Sequence, residues 1–547
     1  LFHGDLYVTL DSTFAVRSID IGINKNINID WVEGISVKQD FDNFGKNFWL
    51  LSKEDISIDV GLVKNSPGLY VQRTVSYKDY IVNVPVADSV FTGPIVSEIT
   101  DPSESSPEFW EARRQIPLNS TERNLYSAVD SLKKVSSFRN QMGFVMLATT
   151  DFLELGRIEI GPVGSFYSFN SIEGSRLRFG GRTTPAFSKK ITFEGYGAYG
   201  FEDRTFKYNS GVTLSLTPRT IYQFPVKSLK LSYTKDTRIP GQELQFNQGD
   251  NFFLSFKRGE NDKLLMNNTL RFEYLNEFEN HFSYLLGYNF TRQYPLGNLY
   301  YYKAGETPDA DGRRNIDISE IYLNLRFAPN ESFYQGKLYR DHFPNKYPVI
   351  QLNTAGGSEF MKSSYDYLRL QMNISRRYYV SILGYTDVAL EAGKIFGTVS
   401  FPMLFVHAAN QTYAYQRNAY NLMNFLEFVS DKYVSLNIDH SFNGFILNKI
   451  PLIKKLKFRE IVTCKVIYGG IGGNNDPSRN NDLFRFPSGI DNIPLTYTLE
   501  KKPYVEAGIG LSNILRIFRV DLIKRFTYLD HPGISALGVR VQVKMDI

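Results

Sequence analysis

Apolar and polar residues alternate along most of this chain. The last stretch shows it cleanly: Leu537, Val539, Val541, Val543, Met545 and Ile547 are apolar, and Gly538, Arg540, Gln542, Lys544 and Asp546 lie between them. Successive side chains of a strand point to opposite faces, so this segment has one apolar face and one largely charged face. The pattern recurs from about Gly156 onward. Leu177 and Phe179 alternate with Arg176 and Arg178, and Ile191 and Phe193 with Thr192 and Glu194. Ile321, Leu323, Leu325 and Phe327 alternate with Glu320, Asn324 and Arg326. Leu368, Leu370, Met372 and Ile374 alternate with Arg369, Gln371 and Asn373, and Phe518, Val520 and Leu522 with Arg519 and Asp521.

These strands are long, and no helical pattern follows them to cover the apolar face. An open sheet this wide would curl or split and leave sticky edges. A membrane barrel strand takes roughly 9–11 residues, with apolar side chains toward lipid and polar ones toward the lumen. The pattern therefore predicts an all-β membrane protein, an antiparallel transmembrane β-barrel of about 16 strands (fourteen to eighteen) over residues 156–547. Arg176, Arg178, Glu194, Arg326, Arg369, Arg519, Asp521 and Arg540 should face the lumen, as should Lys544. There they would form either a stiffening ion-pair network or a selectivity surface or latch for a loop folded inside. The last strand should pair with the one around Val520, and should close the barrel on Gly164–Asn170 or Arg176–Phe179.

Residues 1–100 read as a small β-sheet domain. Val16 to Ile23 and Ile56 to Val60 alternate, and Asn43-Phe-Gly45 and Ser66-Pro-Gly68 punctuate them as turns. Residues 101–155 read as a helical connector. Pro107 suits a first helical position and Glu108 the positive end of the helix dipole; a second helix starts at Ser120, with Leu125, Val129 and Leu132 at helical spacing. Among the hairpin ends, Glu202-Asp203 and Gly259 to Asp262 are short turns. Tyr294 to Asn315, Pro402 to Asp431 and Gly469 to Lys502 are long connections; within the second, Ala419 to Val429 suits a short helix or an extra strand.

Composition narrows the function classes. Phe, Trp and Tyr make up 15% of 547 residues, and clusters such as Tyr300-Tyr-Tyr302 suit the aromatic girdles of a membrane barrel. The net charge of +5 is mild, and no basic run with interleaved aromatics tracks a nucleic acid backbone. The lone Cys464 excludes an internal disulfide and a cysteine-built metal site. None of the six histidines has Glu three places on, so a zinc carboxypeptidase site is not expected. Gly195-x-Gly-x-x-Gly200 matches a dinucleotide fingerprint in letters only, since it lies in a strand with no helix after it. Asp439 and His440 are adjacent in a strand and point to opposite faces. No catalytic residue, metal or cofactor is expected. The chain begins almost directly in a strand-like pattern, without a signal peptide, so its natural amino terminus is expected upstream.

Several segments look familiar. Ser175-Arg-Leu-Arg-Phe-Gly-Gly-Arg182, Gly195 to Arg204, Phe343-Pro-Asn-Lys-Tyr-Pro-Val349 and Asn421-Leu-Met-Asn424 resemble a Bacteroidetes outer-membrane barrel family of unknown function. Its members usually carry an amino-terminal carboxypeptidase-like regulatory domain, which would lie upstream of Leu1. More distantly, Glu506-Ala-Gly-Ile-Gly510 followed by Phe518 to Leu522 is similar to the closing hairpins of BamA/TamA-type barrels. Tyr415 to Tyr420 lacks their Arg-Gly-aromatic motif, and the chain ends in Ile547 where they typically end in an aromatic. The resemblance implies a bacterial outer-membrane protein with its amino-terminal part in the periplasm. It implies a non-enzymatic role in envelope assembly or export of proteins or lipoproteins. A channel or transporter for small solutes is the alternative, and an outer-membrane enzyme a third. The implied partners are outer-membrane lipids, lipopolysaccharide and other outer-membrane or periplasmic proteins; nucleic acid is not among them.

Overall fold

The computed structural model describes residues 2–23, 32–45, 48–61, 69–86, 107–114, 116–118, 120–241, 262–306, 314–336, 338–488, 493–499 and 502–543. Ser66 to Gly68, Gly259 to Asn261, the linker before Pro107, and Lys544 to Ile547 lie outside the described residues. The chain divides into two compact units, one running to Gln141 and the other comprising Met142–Ile514 and the strands from Phe518 on. The described structure is mostly β, and none of its helices is long and apolar enough to cross a membrane.

The first unit holds a five-stranded antiparallel meander in sequence order. Its strands are β1 (Phe2–Val8), β2 (Val16–Ile23), β3 (Val32–Asn43), β4 (Trp49–Val60) and β5 (Leu69–Ser76). Register sorts the side chains. Ile21, Val37 and Ile56 pair across three strands, as do Ile35, Ile58 and Val71, and together they give one apolar face. Asp20, Lys38, Asp55 and Thr74 form a matching row on the other face. Three helices follow: α1 (Pro107–Arg113), α2 (Ser120–Lys134) and α3 (Ser136–Thr150). The third was not foreseen, because Ser136–Thr150 has only a weak apolar stripe.

The second unit is one large antiparallel sheet. It opens with three short segments, β6 (Leu153–Glu154), β7 (Ile158–Ile160) and β8 (Tyr167–Asn170). The next strands are β9 (Gly174–Thr183), β10 (Ile191–Gly200), β11 (Phe206–Ser215), β12 (Lys227–Arg238), β13 (Lys263–Glu277), β14 (Phe282–Gly297) and β15 (Ile316–Phe327). A separate small hairpin is β16 (Phe333–Gln335) with β17 (Arg340–His342). The sheet continues through β18 (Val349–Gly357), β19 (Tyr367–Tyr379) and β20 (Tyr385–Gly397). A second hairpin, β21 (Phe405–Val406) with β22 (Val429–Ser430), interrupts it. The last strands are β23 (Lys432–Ser441), β24 (Arg459–Gly470), β25 (Tyr504–Ile514), β26 (Phe518–Arg525) and β27 (Leu537–Val543).

From β9 on, each long strand hydrogen-bonds to the next long strand, the sheet passing from β15 to β18 and from β20 to β23, and the strand order brings β27 beside β6. Val541 pairs with Val520, as the alternation requires. The expected closing partners are corrected. Residues Arg176–Phe179 belong to β9, which pairs with β7, β8 and β10, while the neighbour of β27 is the two-residue β6. The cause is a break in the first strand: Pro162–Ser165 leaves the ladder, so β7 and β8 engage β9 separately.

The two faces differ as the alternation demands. Leu177, Phe179, Leu231, Phe272, Leu286, Ile321, Leu368, Val434 and Ile509 project outward and are exposed. The opposite face carries buried Ser232, Asn267, Asn289, Gln371, Lys465 and Glu506. At the end bearing the long connections this inner face is covered by an apolar core. Leu299, Tyr301, Phe401, Met403, Leu404, Phe405, Phe428, Val429, Phe484 and Leu499 from the connections pack there on Ile316, Ile395, Tyr433, Ile467 and Tyr504 of the strands. Side chains packed this way leave little room for water.

Candidate functional site

The segment that fills the inner face is the connection from β20 to β23, residues 398–431. Leu404, Leu422, Met423, Phe428 and Val429 on it are fully buried. It has little regular structure. Ala419 to Phe428 is neither helix nor strand but a run of turns, with β22 starting only at Val429. Buried backbone groups must find partners. Here the partners are charged side chains from four successive strands.

Lys465 on β24 donates its Nζ to the carbonyls of Gln416 at 2.8 Å and Ala419 at 2.5 Å. Glu506 on β25 accepts the backbone N–H of Asn421 at 2.8 Å and of Leu422 at 3.0 Å, and the Tyr504 hydroxyl at 2.9 Å. Arg525 on β26 donates to the Leu422 carbonyl at 3.3 Å, and Arg540 on β27 donates to the Asn421 carbonyl. These four side chains are at most 4% exposed. Register explains their convergence, because Lys465 lies opposite Glu506 and Glu506 opposite Arg525. One inward row across three strands thus presents a cation, an anion and a cation to the turns at Gln416–Leu422.

Glu427 ties the carboxyl end of the segment. Arg525 holds it with Nη1 to Oε2 at 3.0 Å and Nη2 to Oε1 at 2.5 Å, and His531 Nδ1 sits 2.7 Å from Oε1. Burial pushes the Glu427 carboxyl up, but the His531 and Arg525 bonds outweigh it and hold it below the usual carboxylate range. The His531 ring stacks on Tyr497 with centroids 3.8 Å apart. His407, at the start of the segment, lies 2.9 Å from Ser430 Oγ; burial pushes its pKa down to about 3.

The middle of the segment reaches the sheet's seam. Val541 donates its N–H to the Tyr413 carbonyl at 2.9 Å and accepts the Tyr415 N–H at 2.9 Å, a parallel bridge to Ala414. The edge of the last strand is therefore hydrogen-bonded, at Val541, by the interior segment. Tyr415 then turns inward: Arg519 lies over its ring at 4.1 Å, and its hydroxyl donates to Asp439 at 3.1 Å.

Among the sequence-derived candidates, the structure gathers Arg519, Asp521 and Arg540 at this segment; Arg519 bonds Asp521 at 2.7 and 2.8 Å and Asp439 at 3.2 Å. The other five lie elsewhere on the inner face, in separate groups. Arg176 pairs with Asp236 at 2.8 Å, Arg178 stacks on Tyr196 at 3.7 Å and Glu194 pairs with Lys230 at 2.5 Å. Arg326 pairs with Glu331 at 2.5 Å and Arg369 with Glu320 at 3.3 Å. Lys465, Glu506, Arg525 and Glu427 were missed. Lys465 stands one place from Cys464 and Val466, so the alternation alone could have found it. Among the described residues no cluster of three His, Cys, Asp or Glu side chains could hold a metal.

Residues 154–470 match the model of the C-terminal domain of a family of unknown function, DUF5686. No curated protein matches the chain. Among solved structures it is similar to BamA from Haemophilus ducreyi lacking POTRA domains 1–3, at 11% identity over 70% of this chain and 69% of that one, with a TM-score of 0.42. It is also similar to CdiB from Acinetobacter baumannii, at 10% identity over 69% of this chain and 57% of that one, with a TM-score of 0.33.

Proposed function

The chain belongs to the family of unknown function DUF5686, whose C-terminal domain model covers more than half of it, and from this premise we propose that it is an outer-membrane β-barrel serving envelope assembly or export of proteins or lipoproteins. In this reading the sheet of the second unit is a closed barrel crossing the bilayer. The amino-terminal sheet lies in the periplasm, and the long connections lie outside the cell. The continuous outward apolar face supports a lipid-facing wall.

The observation that carries the reading is the hydrogen bonding of Val541 by residues 413–415. Among the described residues, the edge of β27 meets a two-residue neighbour and an irregular plug, a weaker line than the long ladders that run from β9 to β27. Release of the plug would free backbone donors and acceptors along that line, where a strand of another chain could pair. Insertion of a strand of another chain would use such an opening; diffusion of small solutes does not.

The plug also argues against a standing pore, because an apolar core fills the long-connection end. One observation favours the channel reading. Beneath the plug lies a cavity of about 120 Å³ lined in part by Arg271, Asn289, Gln293, Glu320 and Arg369. The reading has no catalytic step. His407 and Ser430 have nucleophile-and-base spacing, but they are 4% and 0% exposed within the core.

Depletion of the protein, followed by quantitation of the outer-membrane proteome, tests the proposal. Loss of a subset of barrels or surface lipoproteins supports it. An unchanged proteome, together with a large stable conductance of the purified protein in planar bilayers, would replace it with the channel reading.

A further inference from the structure

The outer face of the second unit carries one groove that the plug does not explain. It is about 780 Å³ in volume and lies where β19, β20, β23 and β24 approach the long connections. Its floor is low because the outward positions there are small, Ala392 on β20 and Gly470 on β24. Leu370, Met372, Val434 and Tyr468 form its walls.

Two lysines sit at its rim. Lys394 and Lys432 are directly opposite each other on β20 and β23, and both project outward and are exposed. Like charges facing each other across a ladder are destabilising. Their neighbours in the same row are Leu370 and Gly470, so no carboxylate balances them. Among the described residues neither lysine makes an ion pair. The inward cations of the neighbouring β19 behave differently: Arg369 and Arg377 each have a carboxylate partner. A facing cation pair beside an apolar groove, on a surface otherwise turned to lipid, calls for a ligand with an anionic head and an apolar tail.

We propose that this groove binds the lipid A part of lipopolysaccharide, with a phosphate between Lys394 and Lys432 and an acyl chain over Ala392 and Gly470. The choice of lipid rests on the outer-membrane reading above, in which the long-connection end meets the outer leaflet. Two ammonium groups on adjacent strands suit a phosphate, which accepts several charge-assisted hydrogen bonds. The groove supplies apolar area to the tail.

Native mass spectrometry of the full chain in detergent, titrated separately with diphosphoryl lipid A and phosphatidylglycerol, tests this. The wild type should take up one lipid A at least tenfold more tightly than phosphatidylglycerol. Lys394→Gln with Lys432→Gln should abolish that preference. Ala392→Trp, which fills the groove and keeps both charges, should weaken lipid A binding by a similar factor. Equal affinity for the two lipids, or a preference that survives the double substitution, would overturn the proposal. The same preparations are scored for insertion into liposomes of phosphatidylethanolamine. A protein that inserts but shows no lipid A preference overturns the site alone, whereas one that fails to insert overturns the membrane reading beneath it.

Discussion

The Arg525 guanidinium and the Glu427 carboxylate meet in a two-point ion pair, Nη1 to Oε2 at 3.0 Å and Nη2 to Oε1 at 2.5 Å, with the two side chains 0% and 3% exposed. The pair joins the wall of the sheet to the segment that fills it. Removing one partner leaves a buried charge uncompensated, which costs about 3–5 kcal/mol. Arg525→Met and Glu427→Gln should each lower the unfolding temperature of the purified protein and expose residues 404–428 to protease. The double substitution should cost less than the sum of the singles, since the two residues share one interaction. Additive effects in that cycle would show that the pair does not hold the segment.

The plug should loosen in acid, and the sign follows from two groups in the connection. Glu427 is held below the usual range, so its contribution is full above the unfolded carboxyl pKa of about 4.3 and is lost as the pH falls through the lower folded value. His407 is pushed down to about 3, so between that value and about 6.5 the unfolded state binds the extra proton and stability falls as pH falls. Protease cleavage within residues 404–428 should therefore rise from pH 7 to pH 4. His407→Gln should remove most of the rise above about pH 4.5 and reduce, without abolishing, the rise below it, where Glu427 still contributes. A cleavage rate independent of pH would contradict both assignments.

The apolar core predicts a silent wild type in planar bilayers. Replacing residues 404–428 with a short Gly-Ser linker removes Leu422, Met423 and Phe428 and should open a steady conductance. The inner wall it uncovers carries Lys465, Arg525 and Arg540 against Glu506, so the pore should favour anions modestly. A conducting wild type, or a deletion that stays silent, would contradict the plug.

Much of the sheet was legible because its physics is local. Leu537 to Val543 and Leu368 to Ile374 alternate strictly, and alternation fixes both the strand and the direction of each side chain. That is enough to put Arg540 and Arg369 on the inner face. The plug was not legible, because its structure is set by remote partners. The Asn421 carbonyl is satisfied by Arg540, 119 positions away, and the Leu422 N–H by Glu506, 84 positions away. No local period records such bonds, so Ala419 to Val429 reads equally well as helix or strand. The seam was misread for a similar reason. Pro162–Ser165 breaks the first strand, and nothing in the alternation of Tyr167 and Phe169 shows that β27 has a different neighbour.

The bridge between Ala414 and Val541 gives the most direct test of the account. Paired cysteines at bridged positions suit a disulfide, whose Cα atoms lie about 4.4–6.8 Å apart. In a strain depleted of the native protein, a Cys464→Ser chain carrying Ala414→Cys and Val541→Cys should form the bond under oxidising conditions. The outer-membrane proteome should then resemble that of the depleted strain, and a reductant should restore it to the level given by Cys464→Ser alone. Full complementation by the cross-linked protein would contradict the claim that the plug must leave the last strand for the protein to work.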